Sequence, residues 1–487
     1  MSQPPNPQTA LDGPAGVPDR RGAVLGLILC VQLLNAVDVT VMNMALPQIQ
    51  RDLGFTPASL SWVINAYTLV YGGLLVLGGR LGDVLGQRRA LMLGVSIFSL
   101  ASLVGGLATE PWWLLGARAV QGAGAALATP TTMALIVRLF TDNEERTKAL
   151  GITVMASGIG SAAGLLVGGL LTDFGSWRWV LFINVPVGAV ALAMAYRVIP
   201  KQEAHPNEKF DAFVAALVTV AMGSLVYAFV RAASDGFSDP ITIGAYVVFA
   251  VLFVILLVVE KGLMRRNGAP VLDLSLFADH NRAAGFATFV CSGAAMFGTF
   301  FFLTQFVQDV LGFTPFQAGL AFLAMAVPMT AVPKTLTPRV VAAVGAKPAM
   351  VAGLTLVLIS MVWLTQLDSG ATYLSGVAGP MILAGAGVGL LNPPLAATIL
   401  STVKPARAGA ASGLLQTVAM IGASVGTAIL VTIYGAALRH GVTGSTGPGA
   451  LSYGISHAYI GGGVFAALGM LIVMIAIRTK PTEKAAT

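Results

Sequence analysis

The sequence predicts an all-α membrane protein of fourteen transmembrane helices. They form two pseudo-repeated six-helix bundles, helices 1–6 and 9–14, with two inserted helices, 7 and 8, between them. Three observations predict this. First, 56% of the 487 residues are hydrophobic and only 10% are charged, with a mean hydropathy of +0.81. A soluble chain carries about 25% charged residues, so most of this surface must face lipid. Second, apolar runs recur at about 20 residues, the length a helix needs to cross a bilayer. Strand-type alternation is weak, which argues against an outer-membrane barrel. Third, motifs of the first part of the chain recur in order in the last part.

The elements follow in sequence. Residues 1–23 form a polar, Pro-rich tail that brings Arg20 and Arg21 up to the first apolar run. That run contains Asp38 and reads as an uncleaved span rather than a signal peptide. The first bundle, 24–199, holds spans 24–45, 59–81, 90–108, 112–137, 149–172 and 177–199. The region 200–281 holds the inserted spans 211–231 and 240–260. The second bundle, 282–477, holds spans 282–308, 315–335, 348–366, 373–400, 409–435 and 454–477, and 478–487 is a tail.

Charge orients these spans. The even count puts both termini on one side, and of the 28 Lys and Arg, 23 fall on that side. Only Arg51, Arg178, Arg231 and Arg439 fall on the other, and Arg118 lies within the membrane. By the positive-inside rule both termini are cytoplasmic, which places the protein in the cytoplasmic membrane. The net charge of +7 sits in short loops between apolar runs, so it signals topology rather than a nucleic-acid partner. Cys30 and Cys291 lie in apolar runs without metal-ligand spacing, and two free thiols are expected.

The repeat is read from four matches. LGFTP occurs at 53–57 and at 311–315. Arg80, Gly86 and Arg88 are matched by Arg339, Gly345 and Lys347. Gly122, Gly124 and Pro130 recur as Gly385, Gly387 and Pro393, and Gly151, Gly160 and Gly164 recur as Gly413, Gly422 and Gly426. Glycine is abundant, so each match is weak alone; the order and the nearly constant offset carry the argument. Duplicated bundles of this kind hold a substrate site between them near the midplane. Tandem copies of a channel subunit would give the same pattern.

Two ionisable side chains lie well inside spans. A charge at mid-bilayer costs about 2.5–3.5 kcal/mol on insertion scales, so each is a candidate functional group. Asp38 is about 10 Å from the outer end of its span and Arg118 about 9 Å below the same surface, at 1.5 Å per residue. They can interact if helices 1 and 4 adjoin. A static ion pair joining two helices is one reading; a proton site is the other. Burial disfavours a charged carboxylate and a nearby cation favours it, so a changing Arg118 distance would switch Asp38 between holding and releasing a proton. At the matching offsets Asp38 corresponds to Met296 and Arg118 to Met381, so the charges are confined to the first half.

Glycine patterns mark moving or closely packed parts. In 79–89, GRLGDVLGQRR, Gly79, Gly82 and Gly86 permit close backbone approach, and Arg80 can pair with Asp83 across the turn. Gly160, Gly164 and Gly168 share one helix face and let helices touch closely; helix packing alone would also account for them. Interior candidates for an amphipathic ligand are Trp62, Tyr67 and Gln121 in the first half and Met296, Phe297, Phe300, Gln305, Asn392 and Gln416 in the second. Met and aromatic side chains can repack around different guests, although each of these residues could equally pack helix against helix.

These motifs resemble the major facilitator superfamily, and within it the fourteen-helix drug–proton antiporters related to QacA and EmrB. The run DVTVMNMALP (38–47) resembles the first-helix motif of that family, which implies that Asp38 carries the coupling proton. Residues 79–89 resemble the loop signature at Gly79, Asp83, Gly86, Arg88 and Arg89, and depart from it at Val84 and Gln87, where basic residues are usual. The run RAVQGAGAALATP (118–130) resembles the fourth-helix motif, implying Arg118 in proton coupling. Gly160, Gly164, Gly168 and Gly169 resemble the fifth-helix antiporter motif, with Leu165 in place of its proline. The run WRWVLFINVPVG (177–188) is also similar to this subfamily. Divalent-cation pumps of the family carry an extra acid in helix 10, and 315–335 has none, which favours neutral or singly cationic cargo.

The resemblance implies proton-driven efflux of small amphipathic compounds such as drugs or antibiotics by alternating access, with protons and the bilayer as partners and a monomer as the functional unit. An importer of a small metabolite and a lipid or siderophore exporter on the same scaffold remain alternatives. No GxxxxGK[ST] phosphate loop occurs, which excludes an ATP-driven pump within one chain. The histidines His205, His280, His440 and His457 are scattered without an HExxH, so neither an enzyme nor a resident metal or cofactor is expected.

Overall fold

The computed structural model describes residues 20–140, 143–199, 212–265, 278–400, 408–441 and 447–478; the expectations for His205 and for both tails past these bounds lie outside them. Among the described residues the chain is entirely helical, as hydrocarbon requires of a backbone that must satisfy its own hydrogen bonds. We label fourteen long helical segments. They are α1 (Arg20–Leu53), α2 (Trp62–Leu85), α3 (Gln87–Gly106), α4 (Pro111–Leu139), α5 (Asn143–Phe174), α6 (Arg178–Val198) and α7 (Ala212–Asp235). They continue with α8 (Pro240–Arg265), α9 (His280–Val310), α10 (Pro315–Thr335), α11 (Ala346–Leu364), α12 (Tyr373–Leu400), α13 (Ala408–Gly441) and α14 (Pro448–Ala476).

Ten of these are long and apolar enough to cross a membrane among the described residues; α2, α4, α5 and α7 are the other four. Several helices outrun the apolar runs that announce them. α1 passes through Pro47 and stops only before Gly54, whose φ of +71° suits a residue without a Cβ. The second LGFTP turn has the same geometry. Gly312 has φ +70°, and Thr314 accepts from the Gln317 N–H as Thr56 does from Ser59, so each turn ends in a capping box. The same parallel holds at the other matched turn, where Gly86 has φ +84° and Gly345 φ +90°.

Helix contacts are set by glycine. Gly94 on α3 and Gly124 on α4 face each other so closely that a Cβ on Gly124 would lie 2.6 Å from the Phe98 nitrogen and 2.7 Å from the Gly94 carbonyl oxygen. Gly353 on α11 and Gly387 on α12 make the corresponding contact, each Cβ falling 2.6 Å from the other's carbonyl oxygen. In lipid the aggregation of helices gains little from hydrophobicity, so such small-residue contacts carry the packing.

The apolar core is divided unequally. At the end of the molecule that carries the two LGFTP turns, one core takes residues from both halves: Leu46, Ile49 and Leu60 with Phe302, Phe306, Phe322 and Met361. Gln308 on α9 donates across it to the Met44 carbonyl of α1 at 3.0 Å. At the opposite end the described core residues fall into two groups, each from one half. One is drawn from residues 24–199 alone, the other from residues 284–477 alone.

The corner between α7 and α8 is tied by Arg231, whose Nε donates to Asp239 Oδ2 at 2.8 Å and whose guanidinium lies 3.6 Å from Asp235. The Arg231 bond, with the Thr242 N–H second, holds the Asp239 carboxyl down at about 2, below its ordinary 3.8. A carboxyl depressed in the folded state adds stability above its ordinary value and loses it only as pH falls toward the lowered one. The corner is therefore insensitive to pH between about 5 and 8.

The packing predicts a clear contrast. Gly124→Ala drives a methyl into fixed backbone and should cost about 1–3 kcal/mol. Gly116→Ala meets nothing within 4 Å and should leave stability level or slightly raised. Thermal melting of the detergent-solubilised variants, followed by size exclusion, checks both.

Candidate functional site

Burying a carboxylate in hydrocarbon demands that every lone pair find a donor, and α1 delivers Asp38 to such a place. Asp38 is 0% exposed and Arg118 is 1% exposed. Arg118 Nη1 donates to Asp38 Oδ2 at 2.7 Å, so the two side chains that the sequence placed at one depth are in direct contact. Asp38 Oδ1 accepts from Gln121 Nε2 at 3.1 Å and from Asn184 Nδ2 at 2.7 Å. Every donor is aimed at a charged carboxylate, and a proton arriving on either oxygen would have to displace one of them.

Arg118 is equally held. Its Nε donates to the Val63 carbonyl at 3.1 Å and its Nη1 also to Gln121 Oε1 at 2.9 Å. The guanidinium lies over the Tyr67 ring, 4.5 Å from its centroid, and Tyr67 stacks on Tyr71. Ser102 on α3 closes the network. Its hydroxyl donates to the Phe98 carbonyl at 2.9 Å and accepts from Gln121 at 2.6 Å and from Asn184 at 3.4 Å. The site thus joins α1, α2, α3, α4 and α6, all from the first half.

Ser102 and Asn184 were not among the sequence-derived candidates. Asn184 had a signal, as the one amide in the run 177–188 singled out for its family resemblance. Ser102 had none, being a small hydroxyl in an apolar helix whose value comes from what α4 and α6 bring beside it.

The ligand candidates separate. Tyr67 and Gln121 belong to the charge network. Trp62 sits at the edge of the first half, its ring 6.3 Å from that of Tyr227 on α7. Met296 and Gln305 are buried in or beside the core shared by the halves, and Gln305 Nε2 bonds the Phe301 carbonyl of its own helix. Phe297 and Phe300 are half-buried, with Phe300 stacked on Phe322 at 5.5 Å. Asn392 on α12 keeps a buried Oδ1 without a partner. The Gln416 side chain lies outside the described residues. At the places that match Asp38 and Arg118, Met296 and Met381 are buried in apolar core.

The glycine candidates also divide. Gly160, Gly164 and Gly168 all face α1: their Cβ positions would lie 3.1 Å from Ala36 Cβ, 3.1 Å from Val37 Cα and 2.8 Å from Val41 Cα. Gly169 faces the other half, its Cβ position 2.8 Å from Phe316 Cα on α10. The segment 79–89, expected as a turn, is the end of α2, Gly86 and the start of α3; Gly79 packs on Pro130, Gly86 supplies the positive φ and Arg89 is exposed. Arg88 donates to the Tyr196 carbonyl at 2.8 Å and covers its ring at 4.8 Å, which ties α3 to α6 within one half. The Arg80 and Asp83 side chains lie outside the described residues.

An enclosed ion pair in a bundle of long apolar helices is the arrangement of a multi-pass membrane protein, and comparison with known proteins shows its family. The Major Facilitator Superfamily model matches residues 28–427, and the chain belongs to that family. The chain is 37% identical over 443 residues to the cephamycin export protein CmcT of Amycolatopsis lactamdurans, covering 91% of this chain and 89% of that protein. It is 37% identical over 462 residues to the puromycin resistance protein pur8 of Streptomyces alboniger, covering 94% and 90%. The lincomycin resistance protein of Streptomyces lincolnensis is 33% identical, covering 85% and 84%. Among solved structures, the nucleoside transporter NupG superimposes with a TM-score of 0.65 at 13% identity, covering 94% of this chain and all of that one, which shows the shared fold.

The network predicts an asymmetry between its partners. A carboxyl can become neutral by taking a proton, whereas a guanidinium cannot lose its charge. Asp38→Leu strands a buried cation and should cost about 3–5 kcal/mol, while Arg118→Leu leaves an acid free to neutralise itself and should cost less. Melting temperatures of the two variants test this, and a larger loss for Arg118→Leu would contradict it. Asn184→Leu, which strands no full charge, should fold while impairing transport.

Proposed function

We propose that this chain is an efflux pump of the cytoplasmic membrane that exports small amphipathic molecules, such as antibiotics, in exchange for protons. The observation that carries the proton coupling is the completely enclosed Asp38–Arg118 network within a single half. The relatives named for export of cephamycin and for resistance to puromycin and lincomycin support the cargo class. In this reading all fourteen long helices span the membrane as two six-helix bundles, 24–199 and 282–477, with α7 and α8 inserted. Both termini are cytoplasmic, and the pump works as a monomer.

Alternating access follows from the uneven core. The end bearing the LGFTP turns is the outer one, closed by apolar residues of both halves, and the cytoplasmic end is split. The separate core groups at that end support a cytoplasm-facing conformation. Opening the outer end separates α5 from α10 at Gly169 and α1 from α9 at Gln308, while Gly160, Gly164 and Gly168 keep α5 packed on α1 as one body. Proton arrival at Asp38 displaces a donor, and the freed Arg118 or Asn184 transmits the change to α4 or α6. Cargo lies against Met296, Phe297, Phe300 and Asn392 of the second half, an apolar, polarizable surface with a few placed polar groups.

Three measurements test this. Asp38→Asn should abolish drug-driven proton release in everted vesicles while remaining in the membrane, and undiminished release would refute the coupling role. Arg118→Ala should change the pH profile of substrate binding, and an unchanged profile would count against the pair. Met296→Ala and Phe300→Ala should reorder a panel of dyes and antibiotics by export rate without altering proton dependence. A proportional fall for every compound would make these residues scaffold.

A further inference from the structure

The inserted helix α7 lies where the halves meet. Its Tyr227 ring is 6.3 Å from Trp62 on α2, and its Phe229 carbonyl accepts from Thr432 Oγ1 on α13 at 2.7 Å. Trp62, Leu69, Phe229 and Val425 gather around Ala428, and Leu69 and Ile421 pack against Val214 and Leu217 further along α7. One helix thus grips α2 of the first half and α13 of the second at two levels.

What it covers is polar. Thr68 and Ser424 share a hydroxyl–hydroxyl bond of 2.5 Å across the α2–α13 seam. Asn65, one helical turn from Thr68 on the same side of α2, is 0% exposed, and neither of its amide atoms has a partner. Lipid tails offer such groups nothing, so a seam of this composition is stable only behind a lid.

The other seam is the reverse. Where α5 meets α10, contact is made by bare backbone: Gly169 on Phe316, and Gly319 with a Cβ position 2.5 Å from the Leu165 carbonyl oxygen. Among the described residues no inserted helix lies over it, and Leu170, Leu320 and Val327 along it are 45%, 46% and 57% exposed. Its lipid side is apolar, and the contacts described across it are backbone approaches at glycine.

We propose that α7, backed by α8, seals the α2–α13 seam against lipid, so that an amphiphile dissolved in the bilayer enters the protein through the α5–α10 seam. The proposal rests on the amphipathic cargo argued above, but the seal itself is independent of transport. A lipid with a photoactivatable diazirine in its acyl chain, reconstituted with the full-length protein and mapped by mass spectrometry, tests it. Adducts should appear along Leu320–Val327 and be at least fivefold rarer within residues 61–72 and 421–432. Removing the grip with Tyr227→Ala and Phe229→Ala should raise labelling of those two stretches to the level of α10. Equal labelling of both seams in the unaltered protein would overturn the proposal, whatever the fate of the variants. In a second measurement Val327→Trp should slow export of the bilayer-partitioning dye Hoechst 33342 severalfold, with Val220→Trp on the outer side of α7 as a control without effect. Equal slowing by both would also overturn the route. If the unaltered protein exports no dye at all, the efflux reading fails, while the adduct map still decides the seal.

Discussion

The structure turns on one interaction: a carboxylate and a guanidinium paired in the membrane interior. Neither charge can be left there without partners, and satisfying both recruits groups from five helices. Asp38 needs three donors, from α4 and α6. Arg118 needs the Val63 carbonyl and the Tyr67 ring of α2, and Gln121 and Asn184 are aimed by Ser102 of α3. The first bundle is thereby organised around a point near one helix centre. This explains why α6, which carries no charge within the membrane, must reach the bundle interior at Asn184.

The second bundle meets no such demand. Its matched positions, Met296 and Met381, are buried in apolar core. In the proposed reading, this division keeps the costly electrostatic site away from the surface assigned to cargo. The division also explains the shared core at one end, where Leu46, Ile49 and Leu60 close on Phe302, Phe306 and Phe322. Apart from the Gln308–Met44 bond that crosses it, this closure is made of apolar contacts, which can part without stranding buried polar groups. Hydrogen-bonded networks within a half suit a body that has to stay rigid.

Glycine sets which surfaces do which. Gly94 with Gly124, and Gly353 with Gly387, weld neighbouring helices inside a half by backbone contact. Gly164 and Gly168 weld α5 to α1. Gly169, a single residue further on, is rotated by about 100° around the helix and faces the opposite half instead. One motif therefore packs α5 on α1 within a half and on α10 of the other half at once.

Much of this was legible in the sequence. Hydropathy gave the helices, because lipid forces the backbone to bond to itself. The isolation of Asp38 and Arg118 marked the site, because intramembrane charge is too costly to be incidental. The two LGFTP turns were legible as a repeat and share φ values near +70°. Helix ends were less legible, since α1 continues through Pro47 once neighbouring helices hold it. Tertiary structure alone decided who completes the site. It took Tyr67 and Gln121 from a presumed ligand surface into the charge network, brought in Ser102 and Asn184, and set α7 over the α2–α13 seam. The physical reason is that burial cost is a property of one residue and can be read from its type and position. Hydrogen-bond satisfaction is a property of groups that meet only when helices distant in the chain pack together.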